Sequence, residues 1–112
     1  MIATAAYAKE WAQRTGKQPA EIRGWGQRTV GLALQDKLEQ HEEYVLPHVR
    51  GTITDAFRRA GIEDVWSLDG IETHDCFTPS EYMALDHFGL TDPGESWKAV
   101  ASGLLASGGA MP

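Results

Sequence analysis

The clearest periodicity lies between Leu46 and Ala60. Leu46, Val49, Ile53, Ala56, Phe57 and Ala60 recur at the three- and four-residue spacing of one helix face, with Arg50, Asp55, Arg58 and Arg59 turned the other way. Pro47 suits the first turn, where its missing N–H costs no hydrogen bond, and Gly61 suits the stop. Upstream, the Ala-rich residues 2–15 read as a helix ended by Gly16, with Pro19 beyond it. Glu21 to Val30 carries β-branched and aromatic residues interrupted by Gly24 and Gly26, which predicts a strand with a close backbone approach. Leu32, Leu34 and Leu38 suggest a short helix, and His41-Glu42-Glu43 a solvated loop.

Further on, Ser67 to His74 reads as a strand with Gly70 at its centre. Thr78-Pro79-Ser80-Glu81 has the form of a capping box, with Thr78 as the cap, Pro79 at the first helical position and Glu81 three residues after the cap. Phe77 and Tyr82 are spaced for a hydrophobic staple across that start. The helix is expected to run to Phe88 and to stop at Gly89. A short helix around Trp97 precedes a Gly-, Ser- and Ala-rich tail in which no further element is expected. Strands alternating with helices predict an α/β layered domain, with strand Gly70–His74 feeding a loop.

A chain of 112 residues holds one small domain. Its 42% hydrophobic content and four tryptophans describe a folded chain rather than a disordered one. A net charge of -6 and the lack of a Lys/Arg cluster argue against nucleic acid, whose phosphates need a basic face. No stretch approaches the ~20 apolar residues of a membrane span, and Met1 to Gly16 lacks the apolar centre of a secretory signal. The single cysteine excludes an internal disulfide and suggests a reducing compartment, so the cytoplasm is expected.

That cysteine, Cys76, sits beside His74 and Asp75 on a turn leaving a predicted strand and entering a predicted helix. The free N–H groups and partial positive charge of a helix N-terminus stabilise a thiolate. An imidazole nearby moves protons near neutral pH, and strand-end loops are where α/β sheets carry their sites. The plainer reading makes Cys76 a small packed hydrophobe, with His74 and Asp75 satisfying backbone groups. Both readings stand on composition alone. No metal is expected: three consecutive residues rarely converge on one ion, and no second cysteine or well-spaced histidine pair completes a set with His41 or His48. Gly24-Trp25-Gly26 lacks the third glycine and the helix of a dinucleotide fingerprint, so it reads as backbone packing. The four tryptophans share no common spacing and read as core.

The stretch from Ala56 to Gly103 resembles the thiolase superfamily. There a helix ending in Arg-Ala-Gly-Ile leads through an acidic strand to an Asn-Glu-Ala-Phe or His-Asp-Cys-Phe loop, and then to Ala-Leu-Gly-Leu, Pro-Gly-Glu-Gly and Ser-Gly segments. His74-Asp75-Cys76-Phe77 is similar to the loop of sterol-carrier-protein-type thiolases and their acetyl-CoA acetyltransferase-like relatives. Ala5 to Gly26 also resembles the family's Ala-x-x-x-Ala helix followed by an Ile-x-Gly-Trp-Gly strand. The resemblance implies an α/β fold: residues 1–112 as a partial thiolase-like C-terminal domain, truncated at both ends, with a mixed sheet and covering helices. It implies an acyltransferase of lipid metabolism, performing Claisen condensation or thiolytic cleavage of 3-ketoacyl-CoA. Coenzyme A then enters as a thioester substrate, and no cofactor is bound.

In that family the loop's first residue, here His74, helps hold a water in the oxyanion hole of a thioester enolate. In the sterol-carrier type the loop cysteine, here Cys76, is the acid/base that moves the substrate's α-proton. Asp75 and Phe77 then orient the loop. The chain lacks the family's nucleophilic cysteine and its Gly-His-Pro loop. The resemblance therefore implies a piece that is inactive alone, whose partners are an acyl-CoA substrate and the remainder of a thiolase chain, the full-length enzyme being a homo-oligomer. Two alternatives stand beside this. One is a non-catalytic acyl-CoA- or lipid-binding domain of the lipid-transfer kind, the other a thiolase-fold retro-aldolase of steroid CoA thioesters.

Overall fold

The computed structural model describes residues 2–39, 42–74 and 76–111, with Leu34 described by its backbone only. Its helices begin and end where local chemistry dictates. Helix α1 (Ala5–Thr15) is capped by Thr4, whose hydroxyl accepts the Tyr7 N–H at 3.3 Å. Helix α2 (Leu34–Leu38) is the expected short one, and α3 (Pro47–Ala60) carries proline in its first turn. Helix α4 (Thr78–Phe88) and helix α5 (Ser96–Ala101) complete the set. Helices α3 and α4 end alike: Gly61 and Gly89 take φ of 70° and 90°, open to glycine without strain, and the next residue's N–H reaches back five residues. Those bonds are Ile62 to the Phe57 carbonyl at 2.9 Å and Leu90 to the Leu85 carbonyl at 3.0 Å.

Helix α4 packs on both α3 and α5. Val65, Leu85, Leu90, Ala99 and Met111 form the core, with Phe57, Leu68, Ile71, Phe88, Leu104 and Leu105 against it. Each fully buried aliphatic side chain contributes roughly 1.5–3 kcal/mol, so this cluster holds α4, α5 and the tail as one unit. The tail, expected to hold no element, forms no helix or strand but does fold back. Turns at Gly103 and Gly108 bring the Met111 N–H to the Leu104 carbonyl at 3.1 Å and bury the Met111 side chain. A 3₁₀ turn at Val65–Ser67 falls where a plain connection was expected, because the Asp64 carboxylate caps the Trp66 N–H at 2.9 Å. No described helix is long and apolar enough to cross a membrane.

The expected α/β fold is corrected. Among the described residues there is no strand and no sheet; the architecture is helical with irregular connections. A strand exists only as one member of a hydrogen-bonded pair, and neither candidate has a partner. Residues 23–28 instead lie along α3, running in the opposite direction. A Cβ on Gly24 would fall 2.2 Å from the Ala56 carbonyl oxygen, and one on Gly26 would fall 1.9 Å from that of Thr52. The close backbone approach is therefore real, but its partner is a helix. Arg23 donates to the Ala60 carbonyl at 3.0 Å, Arg59 donates to the Trp25 carbonyl, and Arg28 pairs with Asp55 at 2.9 Å. Asp55 also pairs with Arg58 at 2.8 Å, and the Arg28 hydrogen bond holds its carboxyl below the usual carboxylate range.

In residues 67–74 the packed side chains are Leu68 and Ile71, three apart, and that spacing is not the alternation of a strand. The start of α4 also differs from expectation. Thr78 is already helical, Phe77 occupies the cap position at φ -147° and ψ 139°, and no side chain caps the helix, so the capping box does not form. Phe77 is 72% exposed and Tyr82 40%, which leaves no staple between them.

Candidate functional site

A cleft of about 540 Å³ opens between α3, α4 and residues 72–74. Its wall is apolar where Val49 and Ile53 of α3 face Met83, Ala84 and Phe88 of α4. Its rim is polar, with Gln27, Arg28, His48, Glu72, His74 and Ser80. The residues singled out from the sequence fall here only in part. His74 is exposed and lines the cleft. Cys76 is a free, exposed thiol whose Sγ lies 3.7 Å from the Oγ of Ser80, itself a lining residue in the first turn of α4. Phe77 caps α4 and points its ring largely into solvent. Asp75, expected to orient the loop, lies outside the described residues. The structure thus brings His74 to the cleft directly and Cys76 to its edge through Ser80.

Sequence reasoning missed the most organised polar group beside this cleft, which centres on His87. Its side chain is 1% exposed. Nε2 accepts the Leu46 N–H at 3.1 Å, which leaves the proton on Nδ1. Nδ1 in turn lies 2.5 Å from both the Met83 carbonyl and Asp86 Oδ1. Asp86 Oδ2 accepts the Gly94 N–H at 2.8 Å. The His87 carbonyl accepts from Arg50 at 2.8 Å, and the Tyr44 ring meets the imidazole edge-on at 5.3 Å. One buried residue thereby ties the start of α3 to the end of α4. Periodicity gave no hint of it, because Leu85, Asp86 and His87 are all buried in succession where α4 is enclosed by α3 and α5.

His48, set aside above as a metal ligand, also lines the cleft. Partial burial holds its imidazole below the ordinary histidine value, and the positive charge of Lys37 and the proximity of His87 act in the same direction. A larger cavity, about 630 Å³, lies between Tyr44, residues 89–93 and α5. It does not hold His74, and its charged lining is Glu43, Asp92 and Glu95 against Lys98.

The family model described as Thiolase C-terminal domain-like matches residues 33–112, well over half of the chain. The chain belongs to that family. The matched region contains the loop at residues 74–77 and helices α3, α4 and α5, while α1 and the segment lying on α3 fall outside it. No curated protein matches the chain.

Proposed function

We propose that the chain supplies the acid/base and oxyanion loop of a thiolase of the sterol-carrier-protein type, acting on acyl-CoA thioesters. The observation that supports this is that His74 and Ser80 line one cleft with an apolar wall and that Cys76 Sγ lies 3.7 Å from Ser80 Oγ. Cys76 Sγ as thiolate takes the α-proton of the acceptor thioester. The C–H bond breaks, an S–H bond forms, and the electron pair moves to the thioester oxygen as an enolate. His74 stabilises that oxygen through a water, a preorganised electrostatic contribution of the kind that dominates many such barriers. The enolate carbon then attacks an acyl group carried on the nucleophilic cysteine, which the remainder of a thiolase chain supplies. The new C–C bond displaces that cysteine as thiolate, and the reverse sequence is thiolytic cleavage. A free cysteine as the working base suits a reducing compartment, the cytoplasm. Its presence in the loop also favours Claisen chemistry over retro-aldol cleavage.

The test is steady-state kinetics with the chain in the protein that supplies the nucleophile. Cys76→Ala is expected to lower kcat by ~10²–10⁴-fold with KM little changed, because proton transfer belongs to the transition state. His74→Ala is expected to lower kcat by roughly 10²–10³-fold. Parental turnover in both variants would end this reading. The apolar wall of Val49, Ile53, Met83 and Phe88 favours a second one, a domain that binds acyl-CoA or lipid without catalysis, for which acyl-CoA would bind and not turn over.

A further inference from the structure

We infer that Ser80 is a positioning residue for Cys76, holding the thiol sulfur at the edge of the cleft and donating a hydrogen bond to it when it is ionised. This rests on the acid/base reading of the loop given above. Cys76 is exposed and, among the described residues, has one side-chain partner within hydrogen-bonding reach, the Ser80 hydroxyl at 3.7 Å. Ser80 is suited to anchor it. Its own N–H is fixed to the Phe77 carbonyl at 2.7 Å in the first turn of α4, and it is half-buried against the cleft that also takes His74 and Met83. Cys76 lies two residues before the first helical residue, and the Ser80 hydroxyl in the first turn reaches back to its sulfur. Without the hydroxyl, the sulfur loses its one described side-chain partner. With it, the sulfur is held beside a residue that lines the same cleft as His74. A serine hydroxyl both donates and accepts, so it serves the thiolate before proton abstraction and the thiol afterwards.

The chain contains one cysteine, so its reaction with iodoacetamide reports on Cys76 alone. In the 112-residue chain at neutral pH, Ser80→Ala is expected to slow alkylation about three- to tenfold, the range that one ordinary exposed hydrogen bond contributes. Ser80→Thr, which keeps the hydroxyl, is expected to restore the rate. An alkylation rate in Ser80→Ala equal to or above the parent's overturns the inference. In the protein that supplies the nucleophile, Ser80→Ala is expected to lower kcat for α-proton exchange of an acetyl-CoA probe three- to tenfold at unchanged KM, again with rescue by threonine. His74→Ala and Cys76→Ala separate the two claims. If both retain parental exchange, the loop reading fails. If both lose it while Ser80→Ala exchanges at the parental rate, the loop reading survives and the role of Ser80 falls.

Discussion

Replacing His87 by alanine tests whether one buried imidazole joins α3 to α4. The substitution empties a site that is 1% exposed and takes the acceptor from the Leu46 N–H, the Nδ1 donor from the Met83 carbonyl and the neighbour from Asp86. Loss of a buried ring with incomplete collapse costs roughly 2–4 kcal/mol. An N–H left without its acceptor adds about 1 kcal/mol, the low end because Leu46 is only half-buried. The sum is about 3–5 kcal/mol. Amide hydrogen exchange followed by NMR reads this locally, without requiring the whole chain to unfold in one step. At ~1.4 kcal/mol per tenfold, the Leu46 amide is expected to exchange about 10²-fold faster or more. His87→Gln, whose amide oxygen can take the Leu46 N–H, is expected to recover about 1 kcal/mol of the loss. Exchange at Leu46 within threefold of the parent in His87→Ala would show that the histidine network does not join the two helices.

Two further expectations follow from the structure. Gly26→Ala places a methyl group 1.9 Å from the Thr52 carbonyl oxygen, which cannot rotate away, so the segment is expected to lift off α3 at a cost of about 1–3 kcal/mol. Loss of the Arg59–Trp25 stacking in the Trp25 indole resonance would report it, whereas Gly31→Ala, with nothing within 4 Å, is expected to be silent. His48 titrates below its ordinary value of about 6.5 in the folded chain, so the unfolded chain binds its proton first. Its contribution to stability is complete above that pH and is lost as the pH falls through the depressed folded value. Urea midpoints measured from pH 7.5 to 5 are expected to fall, and to fall less in His48→Gln; equal slopes in the two proteins would contradict the assignment.

The parts of this fold that were legible in the sequence are those governed by local chemistry. Gly16, Gly61 and Gly89 mark helix ends because each end needs a residue that accepts positive φ, and Pro47 marks a start because it needs no N–H donor there. The two glycines around Trp25 announced a backbone contact correctly, but composition does not say whether the surface approached is a strand or a helix. The sheet was misread for that reason: β-branched and aromatic residues permit a strand, and only a partner makes one. His87 was hidden because its burial comes from two helices distant in sequence rather than from any period of its own. The loop at His74 and Cys76 was visible as a chemical cluster, yet Ser80 gained meaning only once the first turn of α4 put its hydroxyl beside the sulfur.

Whether this loop moves the α-proton of a thioester is read from deuterium incorporation at the α-carbon of acetyl-CoA in D₂O. The chain is used in the protein that supplies the nucleophile, and the label is followed by mass spectrometry. Exchange is expected in the parent and to fall by ~10²–10⁴-fold in Cys76→Ala, while acyl transfer to the nucleophilic cysteine persists. Undiminished α-proton exchange in Cys76→Ala would leave Cys76 a surface thiol with no part in the chemistry.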